Sequence, residues 1–263
     1  QAEDGIRDSV ASRGLGDVYK RQEDDNEAYC IWSDEIGVPS TRITRMGEDD
    51  NFWPAGAPSR GPDGVCGPCS EVFYRMPNGS EVEIWNLVFT QHNRIGDPPD
   101  NLRSLPSRNI DTGMGLERTC AMLQGVDSNF HIDILLPIVE TVAETCNQKY
   151  VASDDNGRRI RRITDHVRAC TFAIHENVLP GNNEEKYVIK RLLRRAVLDG
   201  WQMGMRDPFL HTLPPAVVTQ MKHSYPELAE TVEHVTSVIK REEESFLATI
   251  GLSLIHISEP TRR

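Results

Sequence analysis

The stretch EVFYRMPNGSEVEIWNLVFTQH, residues 71–92, decides the fold class. Two aromatic and β-branched runs, 71–76 and 81–92, flank Pro77-Asn78-Gly79-Ser80. Asn and Gly both tolerate positive φ, so Asn-Gly between apolar runs predicts a tight hairpin. Along the second arm Val82, Ile84, Asn86 and Val88 alternate with Glu83, Trp85, Leu87 and Phe89. Simple alternation sends the first set to one face and the second set to the other. Both faces are largely apolar, which places this arm inside a sheet.

Upstream, residues 47–70 are rich in Gly, Pro and Asp and read as a long loop. Ala28, Ile31, Trp32 and Ile36 have near-helical spacing, ended by Gly37. Residues 1–22 carry no convincing pattern. Downstream, a Pro-rich loop at 97–106 precedes a short strand at 108–113, broken by Gly113 and Gly115. A helix over 116–124 can end at Gly125. Another, 133–146, has Ile134, Leu135, Ile138, Val139 and Val142 as its apolar stripe. From 160 onward the chain reads as helical. Ile163, Val167, Cys170 and Ile174 make one face, and Val188, Leu192, Ala196 and Val197 another, with Gly200 as a stop. Residues 227–249 form a last, acidic helix. Sheet first and helices after predicts α+β followed by an all-α domain. The polar run SDDNGRR at 153–159 marks the boundary, near 150.

The chain has 263 residues, enough for one large domain or two ordinary ones. Hydrophobic residues make up 38% and charged residues 26%, which excludes a disordered tail or a collagen. No apolar run approaches the roughly 18 residues of a membrane span, and no signal peptide opens the sequence. Residue 1 is Gln, so a fragment is expected. The net charge of −11 argues against nucleic-acid binding by the chain as a whole. It hides an asymmetry: residues 1–100 carry a net −10, residues 158–195 a net +6. Six cysteines, without secretory context, are expected to be reduced thiols in a cytoplasmic compartment.

In Asn109-Ile110-Asp111-Thr112-Gly113-Met114-Gly115-Leu116-Glu117-Arg118 a strand ends in a carboxylate and two glycines permit close approach. A helix then opens with Arg118 in its first turn. The arrangement suits a cationic group at Asp111 and a phosphate beside Arg118. A plain strand–helix turn, with Arg118 in a surface ion pair, is the commoner meaning of such spacing. Cys66-Gly67-Pro68-Cys69 lacks the further close ligands a zinc site needs and the βαβ context of a redox pair, so a turn with two reduced thiols is expected. Asn86 needs partners if buried, either backbone or ligand. Trp53 either pins its loop or walls a small pocket. Lys190, Arg191, Arg194 and Arg195 share a helix face, and with Arg158, Arg159, Arg161, Arg162 and Arg168 they could follow an RNA backbone. The ordinary alternative is a solvated face or ion pairs with Glu184 and Glu185. His166 beside Asp165 and His175 beside Glu176 are expected to be structural.

The ordered set DNFW (50–53), CGPCSEVFY (66–74), EIWNLVFTQHNR (83–94), IDTGMGLER (110–118), SNFHIDILLPI (128–138), RRITDHVRACTFAI (161–174) and YVIKRLLRRAV (187–197) resembles the alanyl-tRNA synthetases, class II aminoacyl-tRNA synthetases. The resemblance covers about 23–250. It implies the later part of a class II catalytic domain over 23–150 and a helical tRNA-recognition domain over 151–250. It implies ATP- and Mg²⁺-dependent activation of alanine to alanyl-adenylate and transfer to the 3′ end of tRNA(Ala), in the cytoplasm, with no DNA or membrane partner. By the same resemblance Asp111 holds the substrate ammonium, and Asn86, with Ile84 and Trp85, lines the alanine and adenylate site. Trp53 walls the side-chain pocket, Gly113 lies under the nucleotide and Arg118 contacts ATP phosphates. Asn182 helps read the acceptor stem.

The sequence departs from the family pattern in several places. The first two class II motifs, including an arginine for the α-phosphate, have no counterpart here. Weak activity or none is expected for want of those motifs; the editing domain with its zinc ligands has no counterpart here either. Val65 stands where the family has proline, and Glu185-Lys186 where it has Arg-Gly. RDSVASRGLGDVYKRQ (7–22) and SLIHISEPTRR (253–263) fit no part of the pattern, and 1–22 and 251–263 are expected to be non-native. The competing function is a stand-alone RNA-binding helical module without catalysis.

Overall fold

A computed structural model describes residues 11–14, 26–75 and 79–258, with side chains described over 26–75 and 79–251. The chain divides into two compact units, 1–129 and 130–263. The division lies about twenty residues before the polar run at 153–159, because the helix Leu136–Thr145 packs with the later helices.

The first unit is a sheet ordered β2-β1-β4-β5-β6, with β3 paired to β4 off this path. The strands are β1 (Ala11–Gly14), β2 (Ile43–Thr44), β3 (Phe52–Trp53), β4 (Gly64–Arg75), β5 (Glu81–Arg94) and β6 (Leu102–Met114). β5 lies between β4 and β6, antiparallel to both, as its two apolar faces predict. The hairpin is present as the β4–β5 pair. Residues 76–78 of its turn lie outside the described residues, and Gly79 has φ +83°. Most of the 1–22 segment also lies outside them, apart from β1, which pairs with β2 and β4.

Two strands begin earlier than expected. β4 extends back through the CGPC segment to Gly64. The register slips between Cys66 and Cys69, so Gly67 and Pro68 form an irregularity that β3 covers. At Gly67 the β5 backbone comes so close that a Cβ would lie 1.8 Å from the Phe89 carbonyl oxygen. β6 extends back into the Pro-rich segment, to Leu102. It tolerates Pro106 because no described strand pairs with its far side, and an edge strand can forgo one N–H.

Around the sheet, α1 (Asn26–Cys30) continues as a π-helical turn, Ile31–Glu35, before Gly37 at φ +81°. α2 (Leu116–Gln124) ends at Gly125 with φ +66°.

The second unit is helical: α3 (Leu136–Thr145), α4 (Asp155–His175), α5 (Glu184–Gln202), α6 (Pro214–Met221) and α7 (Leu228–Ser258). The expected α4 face, Ile163, Val167, Cys170 and Ile174, is fully buried. On α5 the buried stripe is Ile189, Leu193, Ala196 and Val197 rather than one starting at Val188 and Leu192; Val188 is exposed. α5 packs against both α4 and α7, which turns its inner face by one residue. Gly200 does not stop α5. It is buried inside it, where a Cβ would lie 2.2 Å from the Phe209 ring.

Two carboxylates fasten this unit. Arg162 binds Asp199 through both its Nε and its Nη2. Glu243, 1% exposed, accepts the backbone N–H groups of Phe209 (2.7 Å), Leu210 (2.8 Å) and His211 (3.2 Å), and meets the His211 ring at 3.1 Å. Among the described residues no helix is long and apolar enough to cross a membrane.

Candidate functional site

Cross-strand partners share a face of the sheet, so register shows which side chains meet. Glu71 on β4 faces Asn86 on β5, and Asn86 faces Gly113 on β6. In the adjacent row Cys69 faces Val88, which faces Asp111. One side of the sheet therefore gathers Glu71, Asn86 and Asp111 around Gly113, where an added Cβ would meet nothing within 4 Å. Asn86 Nδ2 donates to Glu71 Oε1 at 3.0 Å, while Asn86 Oδ1 is buried and accepts no hydrogen bond. A buried acceptor left unpaired costs about 1–3 kcal/mol, which a donor on a ligand would recover.

The simple alternation expected for β5 fails at one place. Val72 pairs with Trp85 but Phe73 pairs with Glu83, so Ile84 is an extra residue in a β-bulge. Glu83 thereby moves to the Asn86 side. The neighbouring Cys69 thiol reports the change: burial first, then the charges of Glu71 and Glu83, push it up to about 12. This face is thus electronegative, with Glu71, Glu83 and Asp111 on it.

Ile84 and Trp85, expected beside Asn86, are placed across β5 from it. Both border an apolar groove of about 790 Å³ on the opposite face, with Leu87, Phe89 and Ile110, and with Trp32 after α1. The bulge is the cause, since it turns Ile84 to the Trp85 side.

Arg118 is exposed, packs over Gly115 and donates from Nη1 to the Glu83 carbonyl at 2.9 Å. That carbonyl lies three residues before Asn86 on β5. Trp53 pairs with Gly67 and is 52% exposed. Its loop is pinned by Asn51, whose Nδ2 donates to the Cys69 carbonyl at 2.6 Å and whose own carbonyl accepts the Cys69 N–H at 2.9 Å. Cys66 and Cys69 are buried, and burial raises both thiols, away from the thiolate that metal binding or nucleophilic attack requires.

Reading single motifs missed Glu71 and Asn51. Glu71 lies fifteen positions before Asn86, and only the strand register joins them. An acidic residue opposite a polar one on paired arms of the hairpin was the available signal.

In the second unit Asn182 and Lys190 come together, with Lys190 Nζ donating to Asn182 Oδ1 at 2.9 Å. Arg191 and Arg195 are exposed on α5 beside Tyr187 and Val188. Arg194 is engaged elsewhere: its Nε reaches Glu242 at 2.7 Å and its guanidinium lies 5.1 Å from the Phe246 ring centroid. The basic run on α4 is also largely occupied. Arg158 pairs with Asp155, Arg159 donates to Asn156 and Gln202, Arg161 donates to Tyr150 and the Ala152 carbonyl, and Arg162 pairs with Asp199. His166 and Asp165 bond to each other at 3.0 Å, and His175 bonds Thr231 at 2.7 Å.

The family described as tRNA synthetases class II (A) matches residues 17–259. The alanine–tRNA ligase of Rhodopirellula baltica is 61% identical over 241 residues, which cover 91% of this chain and 25% of that protein. The alanine–tRNA ligase of Thermus thermophilus is 45% identical over 245 residues, covering 87% and 28%. That of Burkholderia vietnamiensis is 41% identical over 256 residues, covering 89% and 28%. The chain thus spans about a quarter of the length of these curated relatives.

Proposed function

Since this chain belongs to the class II (A) tRNA synthetases, we propose that it carries part of the amino-acid site and the tRNA-contacting helices of a cytoplasmic alanine–tRNA ligase. The reaction is ATP-dependent formation of alanyl-adenylate, then transfer of the alanyl group to tRNA(Ala). The observation that carries this reading is the polar face around Gly113: Asp111, and the buried, unpaired Asn86 Oδ1. Both are acceptors, and together with Glu83 and Glu71 they favour a small cation. The ammonium of alanine meets that demand.

Attack of a carboxylate on an α-phosphate needs no protein nucleophile. It needs aligned reactants and compensated charge. Asp111 and Asn86 orient the amino acid by its ammonium, which fixes where its carboxylate can go. Gly113 leaves room over the strand for a ligand. Arg118, held by one of its N–H groups on the Glu83 carbonyl, keeps others for phosphate oxygens. Trp53 walls the alanine side chain. Among the described residues no three His, Cys, Asp or Glu side chains gather as a metal cage. Mg²⁺ is expected on the nucleotide's phosphates, where it usually binds.

On the helical unit, Asn182 with Lys190, Arg191 and Arg195 are proposed to meet tRNA; Arg194 would first have to leave Glu242. The domain boundary near 150 and the non-native reading of 1–22 and 251–263 belong to the same proposal.

The test is calorimetric titration of the chain with a non-hydrolysable alanyl-adenylate analogue. Saturable binding lost in Asp111→Ala is expected. Absence of saturable binding, or its survival in Asp111→Ala, overturns the assignment. Salt-dependent tRNA binding that weakens in Arg191→Ala supports the helical part, and unchanged binding rejects it.

A further inference from the structure

Glu71 is not among the residues expected to touch a ligand, yet it decides what Asn86 offers. An asparagine amide presents a donor on one side and an acceptor on the other, and nothing in its own shape chooses between them. An ionised carboxylate only accepts. With Glu71 Oε1 3.0 Å away, the group turned toward it has to be Nδ2, and Oδ1 is turned away. The strand register fixes the pair, because Glu71 and Asn86 are direct cross-strand neighbours on the face that carries Asp111. The result is a buried Oδ1 without a donor, in a row that ends at bare Gly113.

We propose that Glu71 is a positioning residue: by holding the Asn86 amide in one orientation it makes this site select a ligand bearing a donor-rich cationic amine over the isosteric hydroxyl compound. The proposal rests on the amino-acid site described above and names what sets its specificity. In Glu71→Gln the residue at 71 can itself donate, and the Asn86 amide is free to rotate. Its N–H₂ then faces the ligand in part of the population. An ammonium is repelled by that group. A hydroxyl, which can accept as well as donate, tolerates it.

Two measurements test this. In calorimetry the chain is titrated with a non-hydrolysable alanyl-adenylate analogue and with its lactyl counterpart, in which a hydroxyl replaces the ammonium. Glu71→Gln is expected to weaken the amine ligand about 10- to 100-fold, the range of one hydrogen bond to a charged group, and to leave the hydroxy ligand unchanged. Adding Asn86→Asp to Glu71→Gln restores an acceptor on the ligand side, whichever way the group turns, and recovers most of the loss. Equal weakening of both ligands, or of neither, overturns the proposal.

The second measurement needs no ligand. The Asn86 side-chain amide signals, followed by NMR, should shift as Glu71 titrates and lose that response in Glu71→Gln. If the parent binds neither compound, the amino-acid site is refuted and the proposed selectivity with it, while the NMR response still reports whether Glu71 holds the amide. Binding of the amine ligand without that response refutes the Glu71 role alone.

Discussion

Replacing Glu243 by alanine should do more damage than any other single truncation on α7. Its carboxylate is 1% exposed and satisfies three consecutive backbone N–H groups, Phe209, Leu210 and His211, together with the His211 ring. These amides open the 3₁₀ turn Leu210–Thr212. Each buried donor left unpaired costs about 1–3 kcal/mol. Relaxation of the turn lets some of them reach water, so about 3–5 kcal/mol is the expected loss. For a unit of this size that lowers the melting midpoint by roughly 10–20 °C. Glu243→Gln keeps one acceptor oxygen but points an N–H₂ at donors, and should fall between. Thermal melts followed at 222 nm, where the helical unit dominates, give the numbers. Amide exchange at residues 209–211 gives the location. A Glu243→Ala variant that melts within about 2 °C of the parent, or one whose 209–211 amides exchange no faster, would show that this carboxylate is not what holds the turn.

Other outcomes can be checked independently. Thiol labelling of the native chain should modify Cys30 first and Cys120 next, whereas Cys66, Cys69, Cys146 and Cys170 should react only on unfolding, since burial raises all four and holds the last three at about 12; fast labelling of more than two sites refutes it. Gly67→Ala should destabilise the sheet by about 3 kcal/mol, the upper end of overpacking, because its Cβ would meet the Phe89 backbone at 1.8 Å; an unchanged tryptophan-fluorescence unfolding midpoint is the contrary result. Burial, then Arg108, holds the His92 ring below its ordinary pKa of 6.5. Between the folded value and about 6.5 the unfolded chain takes up a proton that the folded chain does not, so its contribution is complete above that window and declines as the pH falls through it. His92→Gln should remove this part of the acid destabilisation, and a parent–variant difference in midpoint that stays constant from about pH 8 to pH 5 would contradict it.

Much of this could be seen in the sequence, for physical reasons that differ by element. The hairpin and the central place of β5 follow from local alternation around Asn78-Gly79, and the end of α2 follows from the left-handed Gly125. Period and turn chemistry are short-range, so a single sequence displays them. The bulge at Ile84 is a mismatch between two strands and has no signature in either one, which is why plain alternation put Ile84 on the Asn86 face. Gly200 looked like a helix stop because glycine has two uses, and only the approach of Phe209 distinguishes them. Asp111 and Asn86 stood out as polar residues in apolar strands. Glu71 and Glu243 act on groups 15 and more than 30 positions away, a distance over which composition carries no information. The same holds for Arg162 of α4, whose partner Asp199 lies on α5.

The spare residue at Ile84 also has a use in the architecture. Its carbonyl receives the Gly115 N–H at 2.9 Å, so the bend that launches α2 and Arg118 hangs from the one β5 position there that needs no cross-strand counterpart. Slack is thereby stored between the hairpin tip and the polar row. Lengthening or shortening the tip by a residue can be absorbed before Asn86 is reached, so the spacing from Asn86 to Asp111 is insulated from the far end of the ribbon, whereas Arg118, held on the Glu83 carbonyl, stays coupled to it.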